Sequence, residues 1–387
     1  MSGKILIAFF ITCFILSCKS DEKAIDEAEA NMNEEEIYFQ DYEPPFNKWG
    51  FIDTLGEKII LNKYDAARPF SNGLAIVNFL GKWGMINHDD SPIIDFKYRS
   101  LFNFEDGLAR FQTFDQKYGY LDKNGKEVIQ PIYEEAEDFH DGLAKVGING
   151  FYQYIKPDGS IAFEQQFVKA SNFSENRAKV NQFDHFGVIN TKGEFLIPTE
   201  FDKVYDFSEG LTRIKKDGKY GFYGSSKIAI EPSFEMATDF HDGIAAVKNS
   251  GTWSFIDKKG KVFKTLDYKH IEYGHEGMWM VNKNGLFGMI DANGEEVIPC
   301  SYKMLYKYKE GRCAYSVKGI WGFFDIEGKA VTDPVYALVW DFHNGFARVL
   351  GREGVQIIDY DGNIKFTSPS VELRDFEEGL APIQYMN

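Results

Sequence analysis

The pattern of apolar and polar positions along this chain reads as short strands separated by tight turns. In Trp49-Gly50-Phe51-Ile52-Asp53, Trp49 and Phe51 point to one side of an extended strand, and Gly50 and Ile52 to the other. Both faces are apolar, which marks a strand covered on two sides. The glycine removes a side chain where a neighbouring backbone comes close. An Asp-x-x-Gly turn follows in most copies, as at Asp53–Gly56, Asp122–Gly125, Asp257–Gly260, Asp291–Gly294, Asp325–Gly328 and Asp359–Gly362. Asp at the first position and Gly at the fourth suit a type I turn with a glycine bulge. The recurrent Asp therefore belongs to turn chemistry rather than to a metal or catalytic site. A second apolar run, such as Val128–Ile129 or Val297–Ile298, ends near Pro131, Pro198, Pro232, Pro299 or Pro334. Proline cannot donate to a ladder, so this strand is expected at an edge. A third strand follows each Phe-x-x-Gly-Leu-Ala stretch.

These three strands recur. The opening aromatic of each copy falls at Trp49, Trp83, Tyr118, Tyr152, Phe186, Tyr220, Trp253, Phe287 and Trp321, and Val355 takes its place in the last, with spacings of 33 to 35 residues. The Phe-x-x-Gly landmark keeps the same step, with Gly274 standing where the seventh phenylalanine belongs. The chain from about residue 45 to 387 is thus one repeat array, although 387 residues would ordinarily suggest two or three domains. A single copy buries a handful of large side chains at ~1.5–3 kcal/mol each. Ordering its backbone costs ~1–2 kcal/mol per residue, so stability is expected to come from stacking. Propeller blades commonly take about 40–45 residues, and closed rings about four to eight blades. The fold expected here is all-β: a tandem array of about ten three-stranded units of about 34 residues. An open, twisted, solenoid-like array is favoured over β-propeller rings.

The aromatic-Gly pair, short apolar hairpin and Gly-Leu-Ala strand resemble those of the bacterial WG-repeat proteins. The resemblance covers nearly the whole array. It implies a shared scaffold and no particular reaction.

The N-terminus changes the picture. A cationic start, "MSGK", precedes the apolar run Ile5–Leu16, too short for a span of roughly 20 residues but suited to a signal-peptide core. "ILSC", Ile15 to Cys18, resembles the lipobox of bacterial lipoproteins, which implies cleavage before Cys18 and lipidation of that residue. The expected organisation is a signal peptide at 1–17, a lipidated Cys18 with an acidic tether to residue 44, and the array at 45–387. Residues 1–44 hold three lysines against ten acids, and the stretch Lys19–Glu36 behind Cys18 has too much like charge and too few large apolar residues to fold. "SDE" at Ser20–Glu22 loosely resembles an export tag for the outer face. The implied location is the cell envelope, as an outer-membrane lipoprotein facing the periplasm or the cell surface.

The net charge of −16 argues against a nucleic-acid partner. His140, His241 and His343 occupy one repeat position and read as turn residues. No HExxH, GxSxG, GxGxxG, P-loop or CxxC motif occurs; no metal or cofactor is expected. Cys300 and Cys313 read as second- and third-strand residues of one unit, equally open to a disulfide and to two buried thiols. The seventh unit is irregular: His270, Glu272, His275 and Glu276 suit no strong metal motif, while Tyr273 and Trp279 offer stacking surfaces for sugar or peptide. Register alone places Arg110, Lys145, Lys179 and Arg213 at one equivalent site, a candidate basic row for a polyanion or acidic peptide. The alternative is local pairing with acids such as Asp138 and Asp206. The resulting expectation is a lipid-anchored, non-enzymatic binding or scaffold surface for protein, peptide or glycan. The rivals are an enzyme with its site at residues 265–281 and a purely structural envelope component.

Overall fold

The computed structural model describes residues 47–385 apart from 369 and 371. The expected signal peptide, Cys18 and the expected acidic tether lie outside the described residues. Residues 46–387 form one compact unit.

Nine of the ten sheets have four strands, not three, and the sheets close into a ring: the fold is a ten-bladed β-propeller, not an open array. In the first blade, Ala66–Ser71, Leu74–Phe79, Lys82–Ile86 and Pro92–Tyr98 pair in chain order. Blades 1 to 9 begin at Ala66, Ser100, Glu135, Lys169, Lys203, Met236, His270, Met304 and Leu338. The tenth is built from both ends of the array, in the order Lys58–Tyr64, Lys48–Asp53, Leu380–Tyr385, Glu372–Leu373. Lys48–Asp53 pairs antiparallel with Leu380–Tyr385 without a break in register, from Lys48 opposite Tyr385 to Asp53 opposite Leu380.

The strand absent from the sequence reading is the first of each blade. In blades 3, 4, 6, 8 and 9 it is two residues long, as in Met236–Ala237 and Leu338–Val339, too short to show a period. With so short a first strand and tight hairpins, about 34 residues hold four strands.

Cores form between blades. Trp49, Phe51, Ile60 and Tyr64 of blade 10 pack on Ala67, Phe70, Ala75 and Val77 of blade 1. On its other face, Ile52, Leu373, Phe376 and Ile383 of blade 10 meet Ile357 of blade 9. Phe51 and Ile52 are both fully buried on opposite faces of one strand, as the two-sided apolar pattern requires.

The signature glycine marks a bulge. At Gly221 a β-carbon would lie 2.6 Å from the Ile230 carbonyl oxygen and 2.6 Å from the Pro232 nitrogen; at Gly50 it would lie 2.4 Å from the Ile60 oxygen. The fourth strand bows in over the missing side chain. Tyr220 pairs with Phe234 and Phe222 with Ile230, so extra residues, Pro232 among them, crowd opposite Gly221. The same shift occurs beside Gly50, Gly84, Gly119, Gly187, Gly288 and Gly322. Where the glycine is replaced the bulge goes too. In blade 6 Trp253, Ser254 and Phe255 pair in continuous register with Leu266, Thr265 and Lys264, and Gln356 of blade 9 pairs regularly with Thr367. Blade 3, with Gln153, forms no fourth strand among the described residues, only bridges from Tyr152 to Phe167 and from Ile155 to Ile161.

The recurrent aspartates hold their turns. Asp53 Oδ1 accepts from the backbone N–H groups of Leu55 and Glu57, both at 2.9 Å, and Gly56 follows at φ +85°.

Candidate functional site

The hairpin between the first and second strands of each blade carries an acid just before its glycine in seven of ten copies, among them Asp106, Asp141, Glu209, Glu276, Glu310 and Glu378. These residues sit at positive φ, as does the glycine after them, which gives a two-residue turn that matches strand twist. Left-handed geometry is unfavourable for Glu, yet the acid has a second role. Its carboxylate accepts a backbone N–H from the next blade's turn: Asp106 from Gly142 at 2.8 Å, Glu209 from Gly243 at 2.9 Å, Glu310 from Gly345 at 3.0 Å. Glu378 accepts from Gly73 at 3.0 Å and carries the chain of latches across the closure.

A second tie runs from the second strand of one blade to the first strand of the next, and it uses the basic residues aligned by register. Arg110 Nη1 donates to the Ala136 carbonyl, and Arg110 pairs with Asp138 at 3.1 Å and Glu137 at 3.4 Å. Lys179 pairs with Asp206. Arg213 Nη1 donates to the Ala237 carbonyl, and its Nε faces Asp239 Oδ1 at 3.1 Å. Arg348, one further copy at this register, repeats the arrangement with the Leu373 carbonyl and with Asp375 at 3.0 Å. Arg110 and Arg213 also lie over the rings of Phe102 and Tyr205, at 3.9 and 3.8 Å. The four predicted cations do occupy one equivalent site in successive blades, but the aspartates opposite them are equally periodic, so the row is largely neutralised within the ring. Burial raises the pKa of Asp138 and Asp239, while Arg110 and Arg213 respectively pull it down.

Lys145 departs from this rule. It makes the carbonyl half of the tie, Nζ donating to the Ala170 oxygen at 3.1 Å, and lies 4.9 Å over the Tyr152 ring. The next blade, however, presents Asn172 where Asp138, Asp206, Asp239 and Asp375 stand elsewhere, and among the described residues no carboxylate pairs with Lys145. Among the described residues three buried side-chain polar atoms lack a hydrogen bond: Arg213 Nε and Asp239 Oδ1, which face each other as an ion pair between blades 5 and 6, and Asn172 Oδ1 between blades 3 and 4. At the same interface lies an open cavity of about 460 Å³, bordered by Lys145, His140, Asn172, Ser174, Glu137 and Asp206. A smaller hollow of about 70 Å³ shares Asn172, Ser174 and Asp206 with it. The two acids at its edge are already engaged by Arg110 and Lys179. The sequence carried a signal for this: "NFS" at Asn172 against "DFH" at Asp138 in the preceding copy.

The irregular seventh unit is a compensated core. Elsewhere Phe70 pairs opposite Ala75 and Phe104 opposite Ala109; here the equivalent positions hold Gly274 and Trp279, small for large and large for small, and Trp279 pairs opposite Tyr273. Trp279 is 1% exposed, with its ring centroid 4.9 Å from that of Phe255, so it offers no face to a ligand. Tyr273 stacks on His241 at 3.8 Å, accepts from the Gly277 N–H at 3.1 Å and lies 3.2 Å from Asp242 Oδ2. Glu272 pairs with Lys307, and Glu276 accepts from the Gly311 N–H. Among the described residues no group of three or more His, Cys, Asp or Glu is arranged to hold a metal. Cys300 and Cys313 are both free thiols. Cys300 ends blade 7 and Cys313 lies in the second strand of blade 8, so they belong to adjacent units rather than one. They sit in different cores, and Cys313 Sγ lies 3.1 Å from the Tyr306 carbonyl oxygen. Burial raises the pKa of both thiols.

The sequence model of a WG-containing repeat matches residues 49–83, 83–118, 118–152, 186–220, 225–253, 253–287, 287–319 and 321–350. No curated protein matches the chain. Similar solved structures include a eukaryotic initiation factor, at 10% identity over 74% of this chain and 94% of that one with a TM-score of 0.45. The computationally designed Ika8 protein is 15% identical over 68% and 93%, with a TM-score of 0.35. BamB from Moraxella catarrhalis is 12% identical over 81% and 98%, with a TM-score of 0.30.

Proposed function

The chain belongs to the WG-containing repeat family, and from that premise we propose that it is a non-enzymatic propeller scaffold of the bacterial envelope that binds a protein, peptide or glycan partner and is anchored to a lipid bilayer through Cys18. The observation that carries the reading is how the repeated residues are used. The glycines admit the bulged fourth strand, the turn aspartates hold hairpins, and the turn acids and second-strand cations join each blade to the next. A reaction centre would have to come from residues outside this set. A rigid ring presenting variable positions on a fixed frame suits recognition. The acidic balance disfavours nucleic acid as that partner.

Arrays of peptides and of glycans probed with the full chain test the binding role, with the recovered ligands weighed by mass spectrometry. Saturable binding with ligand returned intact supports the scaffold; release of a cleaved or modified product would sink it. Fatty-acid labelling of the wild type and of Cys18→Ser tests the anchor. Label and detergent-phase partition should both vanish in the variant, and their persistence would remove lipidation from the reading.

A further inference from the structure

We propose that the interface between blades 3 and 4 is a binding site for a small hydroxylated carboxylate, of the kind and size of a sugar acid. The argument starts from the other interfaces. Where Arg110, Lys179, Arg213 or Arg348 occupies the second-strand cation position, the next blade supplies an aspartate: Asp138, Asp206, Asp239 or Asp375. Lys145 keeps the cation and its carbonyl partner, the Ala170 oxygen, and lacks the carboxylate. In its place stand an amide whose buried Oδ1 has no donor and an open cavity of about 460 Å³.

A ligand carboxylate entering this cavity completes at Lys145 the ion pair that the chain itself completes at the other four interfaces. An ammonium has three donors, and one is on Ala170. A hydroxyl beside the ligand's carboxylate satisfies Asn172 Oδ1, a buried acceptor that otherwise goes without a donor. His140 and Ser174 add polar groups at the rim. Glu137 and Asp206 set the limits. Each already faces its own cation, so they accept from further hydroxyls but repel a second negative charge. That favours a monoanion over a phosphate or another polyanion.

The proposal deepens the scaffold reading by giving it one ligand class, and the two fail separately. Absence of carboxylate binding here leaves the scaffold standing; turnover of a bound acid would sink the scaffold reading and leave the site. The test is calorimetric titration of the full chain with D-glucuronate and with lactate, against D-glucose as the neutral control. Both acids should bind, and glucuronate should bind about tenfold or more tighter than glucose. Asn172→Asp places in the chain the carboxylate found at the sister interfaces. It should weaken both acids about tenfold or more while holding or raising the thermal midpoint, because it restores the pattern of four folded interfaces. Lys145→Met should weaken them by as much without adding charge. The site is overturned if neither acid binds, if glucose binds as well as glucuronate, or if Asn172→Asp binds like the wild type. A glucuronate-terminated disaccharide separates the sources: tighter binding than the free sugar indicates the end of a glycan, weaker binding a free acid.

Discussion

Blades 5 and 6 are neighbours built from the same sentence, and they differ at both ends of the unit. Blade 5 has Gly221 after its aromatic, and its fourth strand bulges over it; blade 6 has Ser254, and its fourth strand runs straight. Blade 5 reaches forward with Arg213 to Asp239. Blade 6 has Ala246 at that position, fully buried, and meets blade 7 through Trp253, Phe255, Ile271 and Trp279. The contrast separates two jobs that the repeat mixes in one line of sequence. The aromatic-Gly pair shapes a single blade, and the residue after Gly-Leu-Ala decides whether an ion pair is added to the apolar core that joins one blade to the next. Either junction serves, since the ring continues through both.

The largest blow to this comparison should come from the apolar junction. Trp279→Ala removes a buried indole between blades 6 and 7 and should cost about 3–5 kcal/mol, read from the urea midpoint of the full chain. A cost below that of the arginine variant described next but one would show that the charged junction is the stronger. Gly221→Ala drives a β-carbon into the Ile230 carbonyl and Pro232 and should cost about 2–3 kcal/mol. Ser254→Ala, at the straight-stranded counterpart, should be close to neutral, and equal costs at the two sites would separate the glycine from the bulge. Arg213→Met leaves Asp239 half-buried without its cation, at about 1–2 kcal/mol at neutral pH.

The sign of that last effect can be checked by titration. Burial raises the pKa of Asp239 against the pull of Arg213, so without the arginine the folded state holds the proton more tightly still. The contribution of Asp239 to the variant's stability should therefore be greatest below the ordinary carboxylate range and fall as pH rises through it towards the raised folded value. The gap from wild type should close in acid, and a gap that ignores pH would mean the arginine acts only through its packing on Tyr205. A smaller loss, about 0.5–1 kcal/mol from backbone entropy, should follow Ser254→Gly.

How much of this was legible depended on distance along the chain. The repeat register, the turn aspartates and the reason for the glycine rest on neighbours within one copy, and the pattern of Gly50, Phe51, Ile52 and Asp53 displays them. The first strand was illegible because Met236–Ala237 is two residues long and no alternation fits in two. Ring closure was illegible because Lys48–Asp53 and Leu380–Tyr385 meet across the whole array with nothing local to announce it. The cations at Arg110, Lys145, Lys179 and Arg213 were aligned correctly by counting. Their partners lie one blade on; geometry identifies the partner position, and the sequence then shows that Lys145 alone of these four meets an asparagine, Asn172, rather than an aspartate.

The tenth blade also has a history within each molecule's lifetime. On the ribosome the hairpin from Lys48 to Tyr64 is made first and the strand that covers its open side last. For most of synthesis Lys48–Asp53 therefore shows an unpaired apolar edge, of the kind that invites pairing with another chain. Its rightful neighbour, Leu380–Tyr385, emerges only when the other nine blades are already made. A chain in which that pairing fails is left as a gapped ring with two unpaired strand edges, so the closed ring hangs on one contact between strands from opposite ends of the array.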